Sequence, residues 1–149
     1  MRNKTKVSVA FTDDKTEIPL KKDEVRRLIE LVCNNEKLAG GAVNVIFVDS
    51  EYIRQLNERF LKHDYPTDVM AFTLQEPGQN LEGEIYVCSE LAVTQAQEHH
   101  VPFKEELFRL VIHGMLHLVG YDDADHDEQR MMFNKGEFYL RNFFDRNNS

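Results

Sequence analysis

The stretch FKEELFRLVIHGMLHLVGYDD, residues 103–123, predicts a helix in the core of the protein. Apolar side chains cover nearly the whole circumference of a helix drawn over 103–119: Leu107, Phe108, Leu110, Val111, Ile112, Met115, Leu116, Leu118 and Val119. A helix that is apolar on every side is normally buried. Pro102 suits the first turn of this helix, and Gly120 is a residue type that ends helices. We therefore expect a buried helix bounded by these two residues.

Two histidines, His113 and His117, lie four residues apart in this helix and therefore on one face, a turn apart. One interpretation is that both are core histidines that are hydrogen-bonded to neighbouring carbonyl groups. Two neutral imidazoles would then need two separate partners, whereas one metal ion binds both. Imidazole is a standard zinc ligand at about 2.0–2.1 Å, so the pattern favours a metal site. Gly114 between them costs ~1 kcal/mol relative to alanine, which indicates that another group comes close to the backbone there.

The residues around the histidines supply a third ligand and limit the chemistry. Gly120 lets the chain turn back, so that Tyr121, Asp122 and Asp123 return towards the two imidazoles. The zinc helix of metalloproteases, H-E-x-x-H, carries its general base directly after the first histidine. Gly114 occupies that position here, which argues against peptide hydrolysis. Any hydrolysis would instead use metal-activated water, with the proton removed by some other group.

The rest of the chain predicts a mixture of strands and helices. Runs rich in β-branched or alternating apolar residues predict strands at 6–10, 43–48, 67–74 and 84–89. Helical spacing of apolar residues predicts further helices at 23–37, at 89–100, at about 127–144, and between an N-cap at Ser50 and Pro66. Together with the core helix, these elements give about four strands and five helices in a single α+β or α/β domain.

Length and composition indicate one globular domain. The chain has 149 residues, of which 42% are hydrophobic and 30% charged, enough to bury a core. No apolar run approaches the roughly 18–20 residues that a membrane span requires, so we expect no membrane association. Cys33 and Cys88 lie in apolar sequence without C-x-x-C spacing, which predicts buried thiols and a cytoplasmic protein.

Charge is unevenly distributed along the chain. Residues 1–62 hold 12 basic and 10 acidic side chains, whereas residues 63–149 hold 6 basic and 16 acidic ones. An acidic second half opposes the binding of a polyanion unless a metal cation or a local basic patch offsets it.

Three segments together resemble the YbeY family of metal-dependent endoribonucleases. HGMLHLVGYDD (113–123) resembles the family signature His-Gly-x-Leu-His-Leu-x-Gly-Tyr-Asp-His. LNERFLKHDYPTDVMAF (56–72) and GEIYVCSE (83–90) resemble the family's second motif and its Gly-Asp-Ile strand, in the same order and spacing. The resemblance implies one compact α+β domain over residues 1–149, with a small mixed sheet and a metal bound by the signature helix.

The same resemblance implies an activity. It is zinc-dependent cleavage of single-stranded RNA, in maturation of the 3′ end of 16S ribosomal RNA and in ribosome quality control. The implied cofactor is one zinc ion per chain. The implied partners are single-stranded ribosomal RNA and the ribosome or a ribosomal protein.

The third metal ligand departs from the family signature. The family's third histidine falls ten residues after the first, where this chain has Asp123. A carboxylate binds zinc at about 2.0–2.2 Å, so the resemblance gives His113, His117 and Asp123 as the ligands. His126, three residues further on, is the alternative third ligand, although the spacing and the turn at Gly120 favour Asp123. No residue is assigned as catalytic.

A second departure is Leu61, where the family usually has an arginine proposed to contact the RNA backbone. Lys62 and His63 are the nearest basic residues, but a lysine lacks the bidentate fork that suits phosphate. Asp68 in the second motif has two interpretations. It orients a metal ligand or takes a proton, or it caps the start of a strand together with Thr67.

Two other functions remain open beside the nuclease. One is a ribosome-assembly factor that binds RNA or ribosomal protein and uses its metal only structurally, which the acidic charge and Leu61 favour. The other is a metal-dependent hydrolase of a substrate that is not a nucleic acid. Only three protein ligands are evident, whereas structural zinc normally has four, so the pattern favours catalysis.

Overall fold

A computed structural model describes residues 5–38 and 40–147 of the chain. Four strands and five helices follow one another within these ranges: β1 (Lys6–Phe11), α1 (Lys22–Asn35), β2 (Ala42–Val48), α2 (Ser50–Leu61), β3 (Val69–Thr73), β4 (Glu82–Cys88), α3 (Ser89–His99), α4 (Phe103–Val119) and α5 (His126–Asn147). This confirms the predicted α+β domain with a small sheet and about five helices.

The sheet is mixed, as the resemblance to the YbeY family implies. Its strand order is β1-β2-β4-β3, with β1, β2 and β4 parallel and β3 antiparallel to β4. Val45 in the middle of β2 pairs with Val9 on one side and Ile85 on the other. β2 and β4 are therefore the central strands. The side chains of Val45 and Ile85 are completely buried, as expected where helices cover the sheet.

Helix α4 is the buried helix that the sequence predicts, and its bounds agree with the prediction. It packs against α1, α3 and α5 and against strands β3 and β4. A Cβ atom on Gly114 would lie 2.6 Å from Cγ2 of Ile85, closer than a carbon–carbon contact allows. The group that comes close to this part of the helix is thus a core side chain of the sheet.

The start of helix α2 corrects the predicted N-cap. Ser50 was expected to cap this helix, but it is the first helical residue, and Asp49 is the N-cap. A carboxylate oxygen of Asp49 accepts a hydrogen bond from the backbone N–H of Tyr52 at 2.8 Å. Both residue types cap helices well, and the position one residue earlier directs the acceptor at that N–H.

Several other bounds differ from the prediction by a few residues. Helix α2 ends at Leu61 and does not continue to Pro66, because Lys62 takes the left-handed conformation. Strand β3 is shorter than the predicted 67–74 because it pairs with β4 only from Val69 to Thr73. Helix α5 is longer than the predicted 127–144 and extends to Asn147. Within the described ranges, no helix combines the length and apolarity that crossing a membrane requires.

Candidate metal centre

The end of helix α4 turns the chain back over its own last turn. Gly120 has φ 116°, in the left-handed region that favours glycine. Its backbone N–H and that of Tyr121 both donate to the carbonyl of Leu116, at 3.2 and 3.0 Å. The chain reverses at this point, and the segment between α4 and α5 brings Asp123 beside His113 and His117.

The three candidate ligand atoms form a small triangle. The Nε2 atoms of His113 and His117 are 3.2 Å apart, and Oδ2 of Asp123 lies 3.9 and 3.6 Å from them. A point equidistant from the three atoms lies about 2.1 Å from each, within the roughly 2.0–2.2 Å range of zinc bonds to imidazole and carboxylate. The donor set therefore fits one metal ion of this size.

The same geometry does not fit two separate core histidines. The side chains of His113 and His117 are 40% and 32% exposed, although most of helix α4 around them is buried. Their Nε2 atoms face each other rather than neighbouring carbonyl groups. Two like atoms this close either share one proton or bind a common cation, and the adjacent carboxylate favours the cation.

The protonation equilibrium of His113 also suits a metal ligand. Burial, together with the neighbouring His117, lowers the pKa of His113 below its ordinary value. The carboxylates of Asp68 and Asp123 act in the opposite direction without reversing the effect. Since a metal binds the neutral imidazole, a lowered pKa reduces competition from protons.

The alternative third ligand, His126, is not part of this group. Among the described residues, the set of side chains able to hold a metal comprises His113, His117 and Asp123. His126 is the exposed first residue of α5. Asp123 is half-buried. Its backbone carbonyl accepts a hydrogen bond from Nε2 of Gln129 at 3.0 Å, which restrains the residue.

A residue that the sequence reasoning missed holds the returning segment in place. Glu36, just beyond helix α1, accepts hydrogen bonds from the hydroxyl groups of Tyr121, at 2.9 Å, and Tyr139. Its carboxylate also lies 3.4 Å from the ammonium group of Lys135. Burial alone would raise the pKa of Glu36, but the two tyrosines and Lys135 lower it. An ionised Glu36 thus fixes Tyr121, two residues before Asp123.

No sequence signal points to Glu36. It lies 85 residues from Tyr121 and 103 residues from Tyr139, and it belongs to none of the three motifs. Only the packing of α1 against α4 and α5 brings these side chains together.

Asp68 lies close enough to His113 to affect its pKa, but it does not cap strand β3. Its Oδ2 atom accepts a hydrogen bond from Nε2 of Gln95 in α3 at 3.2 Å. Its backbone carbonyl, and not its side chain, takes part in the sheet region, accepting from the N–H of Cys88 at 2.8 Å. The side chain of Asp68 therefore does not make the capping interaction, and the interpretation that it orients a metal ligand or takes a proton stays a prediction.

The segment that carries Leu61 has apolar side chains exposed beside basic ones. Leu61 is 53% exposed and Phe60 54% exposed, while Arg59 and Lys62 are exposed as well. His63 stacks on the ring of Tyr65 at a centroid distance of 5.4 Å. Position 61 is therefore on the surface, where a family arginine would be accessible.

The two cysteines agree with the prediction of buried thiols. Cys33 and Cys88 are free and buried. Burial raises the pKa of both thiols, so neither is an activated nucleophile.

Comparisons with known proteins give the family. The sequence pattern of the family described as Endoribonuclease YbeY matches residues 8–143. A protein of that name from Chloroherpeton thalassium is 35% identical over 130 residues, covering 87% of this chain and 90% of its own. One from Thermotoga petrophila is 40% identical over 119 residues, covering 79% and 77%.

A solved structure agrees with these sequence matches. The solution structure of a protein from Thermotoga maritima is similar with a TM-score of 0.64 at 31% identity, over 94% of this chain and 90% of that one. The match spans the sheet, the buried helix and the returning segment with the three candidate ligands, so this chain belongs to the YbeY endoribonuclease family.

Proposed function

We propose that this chain is a zinc-dependent endoribonuclease that cleaves single-stranded RNA. The observation that carries the proposal is the triangle formed by His113, His117 and Asp123, whose dimensions fit one zinc ion. The relatives' name, Endoribonuclease YbeY, supports the reaction class. One zinc per chain is the proposed cofactor.

The site's openness supports catalysis over a purely structural metal. All three candidate ligands are half-buried, with side chains between 32% and 43% exposed. Structural zinc sites are normally closed by four protein ligands, whereas catalytic sites keep three and leave a position for water or substrate. When bound there, zinc supplies a Lewis acid for a phosphoryl oxygen and makes a coordinated water more acidic.

Other interactions in this chain prepare and position the three candidate ligands for that chemistry. The lowered pKa of His113 favours the neutral imidazole that a metal binds. Glu36 holds Tyr121 and so limits the freedom of the segment that carries Asp123. Fixed ligands lose little conformational entropy on binding the metal, which supports a tight site.

The biological role that we propose is maturation of the 3′ end of 16S ribosomal RNA and ribosome quality control in the cytoplasm. Single-stranded ribosomal RNA is the proposed substrate, and the ribosome or a ribosomal protein the proposed partner. Lys62, next to Leu61, is an exposed cation available for an RNA phosphate where the family has an arginine. A lysine contacts phosphate as a point charge, so we expect weaker phosphate binding at this position.

The exposed pair Phe60 and Leu61 favours a second candidate function. These apolar side chains suit a protein partner better than a phosphate group. A ribosome-assembly factor would use them for docking and its metal only for stability.

One experiment separates the two functions. The purified protein is assayed for bound zinc and for cleavage of a short single-stranded RNA, with chelator and after zinc is restored. His117→Ala serves as the site variant and the exposed His126→Ala as its matched control. Cleavage that requires zinc and is lost only in His117→Ala supports the nuclease. Full zinc occupancy without cleavage supports the assembly factor.

A further inference from the structure

A pocket lies between helices α4 and α5 and opens onto the candidate metal centre. Its cavity volume is about 250 Å³. Its apolar walls come from Leu110 and Leu116 of α4 and from Met132 and Phe133 of α5. His113 also lines it, so the α4–α5 pocket and the metal centre share a side chain.

Gly136 keeps this pocket open. Glycine is unfavourable in a helix interior, and Gly136 lies in the middle of α5. Close packing does not require it, because an added Cβ atom would lie 3.8 Å from Ile112 and 3.9 Å from Leu116, at ordinary contact distances. Gly114 in α4 differs, since its Cβ atom would overlap Ile85. Gly136 lines the pocket, and because it has no side chain, that part of the pocket stays empty.

The cation in the pocket is fully engaged by carboxylates. The guanidinium of Arg109 donates to Glu137 and Glu106 at 2.8 Å each and to Glu105 at 3.0 Å. Glu106 is buried, at 2% exposure. The pocket therefore offers no unneutralised positive charge to a phosphate group.

One carboxylate that lines this pocket is a free acceptor beside the apolar walls. Asp68 lines the pocket, and its Oδ2 atom accepts a hydrogen bond from Gln95. Its other oxygen, Oδ1, has no hydrogen-bond partner among residues 5–38 and 40–147. An ionised carboxylate only accepts hydrogen bonds, so a ligand there must present a donor.

We infer that the α4–α5 pocket binds a nucleobase of the RNA next to the cleaved phosphate, and that it favours bases with an amino group over uracil. This inference rests on the proposed nuclease function. A planar base suits apolar walls that contain a phenyl ring and a thioether, and the cavity is large enough for it. The amino groups of adenine, cytosine and guanine donate to Asp68. Uracil presents its single ring N–H between two carbonyl oxygens, which the carboxylate repels.

A nucleoside titration tests the inference without any cleavage. The full-length zinc-bound protein carries 13C-methyl methionine and receives adenosine, cytidine or uridine. Met132 reports on the pocket, and its neighbour Met131, 61% exposed, is the internal control. We expect adenosine and cytidine to shift the Met132 signal at lower concentration than uridine, with Met131 unmoved. A Met132 signal that is static up to the solubility limit, or that responds equally to uridine, overturns the inference.

Two substitutions at one position provide a matched pair. Gly136→Leu fills the pocket, whereas Gly136→Ala adds one methyl group at ordinary contact distance. We expect Gly136→Leu to lose the nucleoside response and to lower kcat/KM for RNA by about tenfold, with zinc content unchanged, and Gly136→Ala to keep both. Nucleoside binding by a folded Gly136→Leu protein at wild-type strength contradicts the inference.

A third variant keeps the test decisive if Gly136→Leu does not fold. Asp68→Asn replaces a carboxylate oxygen with an amide that can donate, so the preference should move towards uridine. An unchanged preference for adenosine and cytidine contradicts the inference. If wild-type protein cleaves no RNA, the proposed function fails, and the titration still decides whether the pocket binds bases.

Discussion

Alanine at Gly114 and alanine at Gly136 should have opposite effects on stability. Both glycines lie inside long helices, α4 and α5, and the added atom is the same methyl carbon. At Gly114 it would lie 2.6 Å from Cγ2 of Ile85 and 3.3 Å from Cγ2 of Val69. At Gly136 its nearest neighbour would be 3.8 Å away. The pair therefore isolates the effect of close packing from that of helix propensity.

The magnitudes follow from these distances. A carbon–carbon contact of about 3.5–4.0 Å requires helix α4 or Ile85 to move by roughly 1 Å. Overpacking of this kind costs about 1–3 kcal/mol, and the gain in helix propensity returns about 1 kcal/mol. Gly114→Ala should thus lower the free energy of unfolding by about 1 kcal/mol, whereas Gly136→Ala should raise it by about 1 kcal/mol. A difference of about 2 kcal/mol corresponds to roughly 4–8 °C in Tm for a chain of this size.

The assay is urea unfolding of the two variants and the wild type, with metal removed, followed by zinc titration. Gly114 lies between His113 and His117, so a displaced helix should also weaken zinc binding by Gly114→Ala. Gly136→Ala should bind zinc like the wild type. If Gly114→Ala is as stable as Gly136→Ala, the close approach of α4 to β4 is not what requires glycine at position 114, and the packing argument is refuted.

The remaining predictions concern the metal centre. His113→Ala and His117→Ala should each hold well below one zinc per chain, with a lower Tm in the presence of zinc, since binding to the folded form stabilises it; full zinc content in both would show that the histidines are not ligands. Asp123→Ala should weaken zinc binding far more than His126→Ala in a competition titration, and the reverse ranking would make His126 the third ligand. Glu36→Gln should be less stable than the wild type at pH 7. The pKa of Glu36 is lowered in the folded state, so the stabilisation by its ionised carboxylate is present above the unfolded-state pKa of about 4.5 and is lost as pH falls. A difference in unfolding free energy between variant and wild type that is the same at pH 7 and pH 3 would contradict the assigned hydrogen bonds.

Short-range patterns in the sequence predicted most of the elements. Helix α4 was predicted to the residue because apolar side chains, Pro102 and Gly120 all point to the same bounds. Strand β2 is rich in β-branched residues over most of its length, and β4 is apolar from Ile85 to Cys88, so these runs identify both strands, although β4 begins two residues before its predicted start. The strand order was not available from any local pattern. That the sheet is mixed followed only from the resemblance to the YbeY family.

The parts that the sequence did not predict depend on contacts between distant residues. Gly114 carried a visible signal, but the partner that explains it, Ile85, is in another element. Glu36 carried no signal, since an acidic residue just beyond a helix is ordinary on a surface. Asp49 and Ser50 are adjacent capping residues, and local sequence does not decide which of them meets the N–H of Tyr52. Each of these features can be identified only once the fold is known.

The acidity of the second half of the chain is only partly offset by ion pairs. Arg109 is shared by Glu105, Glu106 and Glu137, so one positive charge faces three negative charges. Lys135 lies beside Glu36, which belongs to the first half. The remaining negative charge opposes the binding of an RNA strand unless a metal cation offsets it.

The candidate site has few cations of its own for phosphate. Leu61 replaces the family arginine, and Arg109 is engaged within the α4–α5 pocket. If the chain is the proposed nuclease, an ion bound by His113, His117 and Asp123 supplies positive charge at the point of cleavage. The base contact inferred for the α4–α5 pocket then adds to the binding of the strand. On this chain, therefore, removal of the metal should weaken the hold on RNA as well as prevent its cleavage.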